Sequence, residues 1–179
     1  MNAEEILKSF KKEFEKKIIK GEIRKRAYGK KKIESEAIWM EVDRSAFRNV
    51  VEYLCKIHPY PHFAVASGSD IGDEIELVHH FTVNHGEKHK EILVNVSVKL
   101  PKSDPAIESI CDLIPGALIS EREKQEMLGV IVKNIPDSRR AFLPKDFPEG
   151  IYPWRRDKTS PDKLAKNLHE SKVTKEPKW

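Results

Sequence analysis

The chain of 179 residues contains only two cysteines and no long apolar stretch, and both shortages limit what it can be. Cys55 and Cys111 lie in apolar segments without a CxxC partner, so buried thiols are expected rather than ligands of an iron–sulfur cluster or a structural zinc. No segment approaches the roughly 20 apolar residues that a membrane-spanning helix needs, and the first residues lack the apolar part of a secretory signal. These absences predict a soluble cytoplasmic protein whose redox cofactors, if any, belong to another chain.

The sequence also lacks the motifs of the common catalytic classes. No serine or cysteine is framed as a nucleophile elbow, and neither a phosphate-binding glycine loop nor an internal repeat is present. Glu121, Glu123 and Glu126 are candidates for acid–base work, but carboxylates on the surface of a helix are more typical of a partner-facing ion-pair network. The sequence therefore argues against catalysis by this chain alone.

Charged residues make up 35% of the chain, and the net charge is +4. Lysine and glutamate are prominent while Gln125 is the single glutamine, a usage that suits a hyperthermophile. The basic excess gathers near both ends, which raises the alternative of a nucleic-acid-binding adaptor. Against it, basic and acidic residues are interleaved and no aromatic-and-glycine binding motif is visible, so an anionic membrane surface or an acidic partner explains the same bias.

The first 118 residues predict a core domain of the α+β class, with an antiparallel or mixed sheet and helices packed on one face. The apolar spacing predicts an amphipathic helix over 4–19, ended by Gly21, and a second helix over 44–57 capped by Asp43. Period-two alternation and turn residues predict strands over 22–28, 36–42, 62–68, 74–84 and 91–100. A hairpin at Gly86 makes the last two strands antiparallel. Residues 106–114 are expected to form a short apolar helix or turn.

Four histidines, His79, His80, His85 and His89, offer a metal-dependent enzyme as a further alternative. His79 and His80 are adjacent on a predicted strand and therefore point to opposite faces of the sheet, which separates them as ligands. His85 and His89 fall in a loop without a carboxylate or cysteine at typical spacing. The acidic turn at 70–74 lacks the ligand count of a calcium loop and is expected to be solvated. No metal site is therefore assigned.

Residues 120–157 form a separate element that we interpret as a docking segment. Ser120 followed by Glu123 matches a capping box and predicts that a helix starts there. Gly129, which is free to adopt positive φ, predicts the end of that helix after two to three turns. So short a helix needs tertiary or partner contacts to be stable.

The run after this helix is rich in proline and cannot form a continuous helix or a central strand. Its content of aromatic and apolar residues is nevertheless too high for a disordered chain. We therefore predict an extended Pro-rich C-terminal arm that buries its rings against its own domain or a second chain. Its arginines are expected to bind carboxylates, and aromatic residues with arginines make good interface anchors.

The spaced motifs of residues 92–157 resemble those of the 30 kDa (C) subunit family of respiratory complex I, which also occurs in archaeal membrane-bound group 4 [NiFe] hydrogenases and in the membrane-bound sulfane sulfur reductase. The motifs, in chain order, are Lys99-Leu100-Pro101, Asp112-Leu113-Ile114-Pro115-Gly116-Ala117, Glu121-Arg122-Glu123, Glu126-Met127-Leu128-Gly129, Pro136-Asp137-Ser138-Arg139-Arg140, Leu143-Pro144 with Asp146, and Pro153-Trp154-Arg155-Arg156-Asp157. Leu128 and Asn134-Ile135 depart from the complex I pattern and favour a hydrogenase-like relative.

The resemblance implies a non-catalytic structural subunit in the peripheral, cytoplasmic arm of an ion-translocating oxidoreductase complex. Its partners would be the catalytic large subunit and the small iron–sulfur subunit, with the membrane arm contacted indirectly and with neither nucleic acid nor a small-molecule substrate bound. The chain itself would hold no cofactor; iron–sulfur clusters, and in hydrogenases the NiFe site, would lie in partner subunits. The residues expected to bind partners are Glu121, Arg122, Glu123, Glu126, Asp137, Arg139, Arg140, Phe147, Tyr152, Trp154, Arg155 and Arg156.

The sequence thus predicts three parts, namely a core domain at 1–118, a docking segment at 119–157 and a basic tail, extended or disordered, at 158–179. The equivalent 30 kDa subunit of a true NADH- or quinone-type complex I is the nearest alternative. The nucleic-acid-binding adaptor and the histidine-based metal enzyme are alternatives from other classes, and both leave the motifs at 120–157 without a purpose.

Overall fold

A computed structural model describes residues 1–30, 33–86 and 90–161 of the chain. Most of the predicted basic tail, residues 162–179, lies outside the described residues, as does His89. Within the described ranges, no helix combines the length and the apolarity that crossing a membrane requires.

The described chain contains three α-helices and seven strands. The helices are α1 (Ala3–Phe14), α2 (Phe47–Ile57) and α3 (Leu118–Leu128). The strands are β1 (Ile18–Tyr28), β2 (Ile33–Val42), β3 (His62–Asp70), β4 (Glu74–Val83), β5 (Ile92–Pro101), β6 (Ala106–Glu108) and β7 (Ile131–Lys133). Short 3₁₀ turns at Glu15–Lys17, Arg44–Ala46 and Pro115–Ala117 precede β1, α2 and α3.

Five of the strands form one sheet in the order β1-β2-β5-β4-β3. β2 and β5 are parallel, with Met40 opposite Val96, whereas the other neighbours are antiparallel. The hairpin between β4 and β5 turns through Asn84 and Gly86, both at positive φ. This mixed sheet confirms the predicted α+β class and the antiparallel pairing of β4 with β5.

One face of the sheet carries the core. Alternate residues of β4 and β5 are buried there because successive side chains of a strand point to opposite faces. α1 contributes Phe10 and α2 contributes Phe47 and Leu54, all essentially fully buried. Burial of a side chain of this size stabilises the fold by about 1.5–3 kcal/mol.

The first helix is shorter than predicted. α1 ends at Phe14, and Glu15 follows at a φ of 36°, so the apolar residue Ile18 belongs to β1 rather than to the helix. Gly21 lies within β1, where its Cα faces the side chains of Leu7 and Lys11, and it does not end a helix. The helix start was also missed: Asn2 accepts the backbone N–H of Glu5 in a capping box.

The prediction of a helix or turn over 106–114 is wrong for its first part. β6 pairs in parallel with β7, so that Ala106 lies opposite Ile131 in a separate two-stranded sheet. Three-residue strands carry too short an alternation to be recognised from sequence. This pair places the start of α3 and the residues after it side by side.

Candidate partner-binding site

α3 is the centre of the candidate site, and it begins differently from the prediction. It starts at Leu118, directly after a 3₁₀ turn, and no side chain caps it. The hydroxyl of Ser120 instead accepts the backbone N–H of Ala66 at 3.3 Å, so that it covers part of the edge strand β3. The predicted capping box is therefore wrong, while the predicted helix end is confirmed by Gly129 at a φ of 67°.

The polar residues of α3 are not the solvated face expected from the sequence. Glu121, Lys124 and Glu126 are all buried, each less than a tenth exposed. The helix also approaches β3 closely, because a Cβ at Gly68 would come within 2.5 Å of a methyl carbon of Leu128. Buried charges of this kind must be paired or hydrogen-bonded, and each of the three has a partner within the chain.

Glu121 binds the segment that precedes the helix. Its carboxylate accepts the Ser109 hydroxyl at 2.7 Å, the backbone N–H of Ile110 at 2.8 Å and the Cys111 thiol at 3.0 Å. Burial, with the nearby Glu121 carboxylate, raises the pKa of Cys111 to about 12. The arrangement holds Cys111 as a protonated donor, in agreement with the expectation of a buried thiol.

Glu126, one turn further along, binds the chain that follows the helix. Its two carboxylate oxygens accept the backbone N–H groups of Ala141, of Phe142 at 3.0 Å and of Leu143 at 2.7 Å. Burial opposes ionisation of Glu126, but these three donors, helped by the charge of Arg122, outweigh it and hold its pKa below the ordinary value.

Arg122 lies four residues before Glu126 and binds the same segment. Its guanidinium donates to the carbonyl of Arg139 at 2.7 Å and to that of Arg140 at 3.1 Å, and lies 3.5 Å from Asp137. The predicted pairing of Arg122 with Glu126 is thus replaced by contacts of both with one loop. Glu123 forms an ion pair with the neighbouring Lys124.

Two arginines of the loop have their own partners. Arg139 donates to Asp137 through Nε and Nη2, which holds the pKa of Asp137 far below its ordinary range, while the Arg139 side chain stays 85% exposed. Arg140 donates to the carbonyls of Pro144 and Phe147 and so closes the loop. Phe147 itself is half-buried.

The aromatic residues of the arm pack on the C-terminal end of α3. The ring of Tyr152 lies against Gly129, and Arg155 stacks on that ring while donating to the carbonyl of Leu128 at 2.7 Å. The backbone N–H of Trp154 donates to the carbonyl of Met127 at 2.9 Å. These contacts satisfy carbonyls that the end of a helix leaves without an intrahelical partner.

A buried ion-pair cluster ties the last described part of the arm to the sheet. Lys102, just after β5, lies 2.6 Å from Asp70 and 2.7 Å from Asp157, and Asp70 also accepts the backbone N–H of Arg156. The expectation of a solvated turn is therefore wrong for Asp70, whose side chain is 2% exposed. Sequence reasoning missed both Asp70 and Lys102, since nothing in the sequence links positions so far apart.

The histidines lie where the strand pattern predicted. His79 is buried on the core face, against Phe47, whereas His80 on the other face hydrogen-bonds Asn95 and Ser67. Among the described residues, no group of three or more metal-ligating side chains is close enough to hold an ion.

Fold and site together define an α+β domain whose irregular C-terminal segment is organised by a single helix, with buried charges as the fastenings. Residues 40–163 match the family described as respiratory-chain NADH dehydrogenase, 30 Kd subunit, and the chain belongs to this family. The match confirms the resemblance noted from the spaced motifs.

Relatives of two kinds are similar to the chain. Membrane-bound hydrogenase subunit beta of Pyrococcus furiosus is 35% identical over 133 residues, which cover 74% of this chain and 76% of that protein. The corresponding subunit of the F(420)H(2) dehydrogenase of Methanosarcina mazei is 33% identical over 130 residues, covering 71% and 79%. A chain of the membrane-bound sulfane sulfur reductase, an archaeal respiratory membrane complex, has the same fold, with a TM-score of 0.66 over 93% of this chain and 86% of that one at 19% identity.

Proposed function

We propose that this chain is a non-catalytic structural subunit in the peripheral arm of a membrane-bound, ion-translocating oxidoreductase complex of the hydrogenase or sulfane sulfur reductase type. The observation that carries the proposal is the 35% identity to a membrane-bound hydrogenase subunit over about three quarters of both chains. A similarity of that extent covers the core sheet and the arm together.

In this proposal the chain docks the catalytic large subunit and the small iron–sulfur subunit on the cytoplasmic side of the membrane. Residues 1–118 act as the scaffold and residues 119–157 carry the docking surface. Iron–sulfur clusters, and in a hydrogenase the NiFe site, belong to the partners. The outward-facing parts of the arm support this division, because the side chains of Arg139 and Trp154 remain exposed although their backbones are fixed.

The proposed partner-binding residues fall into two groups. Glu121, Arg122, Glu126, Asp137, Tyr152 and Arg155 bind within the chain, so their contribution to docking is to shape the surface. Arg139, Arg140, Trp154 and Arg156 are exposed and can contact a partner directly. Glu123 and Phe147 are partly exposed and lie at the border of the surface.

The test is purification of the tagged chain from gently solubilised native membranes, with mass spectrometry of its partners and metal analysis. Co-purification of a large and a small iron–sulfur subunit, with nickel and iron, is expected for a hydrogenase. The same partners with iron but without nickel would assign a sulfur-reducing complex. Recovery of the chain alone, or with nucleic acid, would overturn the proposal.

A dehydrogenase complex is the second candidate, favoured by the 33% identity to the F(420)H(2) dehydrogenase subunit. The chain would then play the same structural part in an assembly that reduces a quinone or related carrier. Iron without nickel, together with quinone-dependent turnover of the purified complex, would select this candidate over the first.

A further inference from the structure

The loop between Asp137 and Phe147 contains neither helix nor strand, and yet its backbone is extensively hydrogen-bonded. Arg122 takes the carbonyls of residues 139 and 140, and Glu126 takes the N–H groups of residues 141–143. Two side chains one helical turn apart thus serve five consecutive residues.

This arrangement comes entirely from within the chain. Carboxylate and guanidinium partners make the strong, charge-assisted class of hydrogen bond, and α3 holds both side chains on one face. Arg140 adds bonds to the carbonyls of Pro144 and Phe147 at the far end of the loop. No contribution from another protein is needed to fix the backbone.

The fixed backbone presents one aromatic side chain outward. Phe142 donates its own N–H to Glu126 at 3.0 Å while its side chain is 48% exposed. Arg139, three residues earlier, uses only Nε and Nη2 on Asp137. An exposed phenylalanine on a rigid backbone close to an arginine has the composition of a binding hot spot.

We propose that Arg122 and Glu126 hold residues 139–143 in their docking conformation before any partner binds, so that Phe142 is a preformed anchor for an apolar pocket on the partner subunit. The inference rests on the proposed docking function and adds to it the anchor and the way it is positioned. The pocket should carry a carboxylate at its rim, because the remaining guanidinium donors of Arg139 point to no acceptor in the described chain. Preorganisation favours binding because the ordering of the loop is complete in the free subunit.

The positioning is tested on the full chain without partners, by hydrogen exchange of the 141–143 amides. Protection of at least about tenfold over an unstructured loop is expected in the wild type, and E126Q should remove at least about tenfold of it, since the amide oxygen that remains carries no charge. E149Q is the matched control, because Glu149 is exposed on the same arm without a hydrogen bond or ion pair in the described chain. Unprotected amides in the wild type, or equal exchange in E126Q and the wild type, would overturn the inference.

The anchor is tested in the native complex by comparing F142A with I19A, an equally apolar substitution at an exposed site at the start of β1. F142A should keep the wild-type exchange pattern and yet lower the amount of co-purified partner subunit at least about fivefold, whereas I19A should not. Full partner recovery with F142A overturns the anchor while leaving the docking function standing. If the wild-type chain recovers no partner, the docking function and the anchor fall together.

Discussion

The ring of Tyr152 lies against the backbone of Gly129, where a Cβ would come within 2.7 Å of two ring carbons. Gly129 ends α3 in the left-handed conformation, so a single residue both stops the helix and makes room for the arm. The helix end and the path of the arm are therefore set at one position.

Gly129→Ala should lower the free energy of unfolding by about 2–3 kcal/mol, of which about 1–2 kcal/mol is the cost of a Cβ at positive φ and the rest comes from displacement of the Tyr152 ring. Gly150→Ala is the matched control, since Gly150 has a φ of 75° and nothing within 4 Å of its Cβ position. Denaturant unfolding monitored by Trp154 fluorescence measures both. Equal losses in the two variants would show that Tyr152 does not depend on the gap.

Lys102→Met should cost about 2 kcal/mol at pH 7, because it leaves the buried Asp70 and the partly buried Asp157 without their cation. Burial opposes ionisation of Asp70, but Lys102 and backbone donors still lower its pKa, and Lys102 holds that of Asp157 far below its ordinary range. Stabilisation by carboxylates with lowered pKa is present above about pH 4 and is lost as the pH falls through the folded pKa. The difference between the variant and the wild type should therefore shrink in acid.

Unfolding titrations at pH 7 and pH 3 provide the measurement for Lys102. Lys145→Met serves as control, because Lys145 is exposed on the same arm and forms no ion pair with the described residues. A loss that is the same at both pH values would mean that Lys102 acts through packing of its side chain and not through its charge.

His79 should make the fold acid-sensitive. Burial lowers its pKa to about 3, whereas in the unfolded chain it titrates near 6.5. Between these values the unfolded state binds a proton that the folded state does not, so lowering the pH favours unfolding. From pH 7 to pH 5 the wild type should lose about 2 kcal/mol more stability than His79→Leu.

The control for His79 is His85→Leu, a substitution at an exposed residue of the β4–β5 loop. Its pH dependence should follow the wild type in denaturant unfolding at pH 7, 6 and 5. Parallel pH curves for the wild type and His79→Leu would contradict the assignment.

Cys111 should resist thiol reagents in the folded protein. Its pKa of about 12 leaves a thiolate fraction about a thousandfold below that of a free cysteine near 8.5–9. In a Cys55→Ser background at pH 8, labelling of Cys111 should be at least about a hundredfold slower than in denaturant. Native and unfolded chains that react at similar rates would show that the contact with Glu121 opens readily.

Local patterns in the sequence were enough for the sheet and for several of its details. The alternation of Ile75, Leu77, Phe81 and Val83 predicted β4 and its buried face, because side chains of a strand alternate regardless of what lies opposite. The same rule separated His79 from His80. The end of α3 at Gly129 was predictable because positive φ is a property of a single residue.

Contacts between distant positions were decided only by the tertiary structure. Ser120 has the spacing of a capping box, but the N–H of Ala66 on the edge strand lies within reach and donates to its hydroxyl. Glu126 has the pattern of a surface carboxylate until the loop supplies three N–H donors 15–17 residues away.

The sequence by itself determined the α+β class, the sheet face that becomes the core, the end of α3 and the family motifs, because each depends on residues close together in the chain. The tertiary structure alone decided that Asp70, Lys102 and Asp157 meet and that the charges of α3 turn inward. The physical reason is that a charge is buried only where the fold brings its partner, and the partners lie up to 86 residues apart.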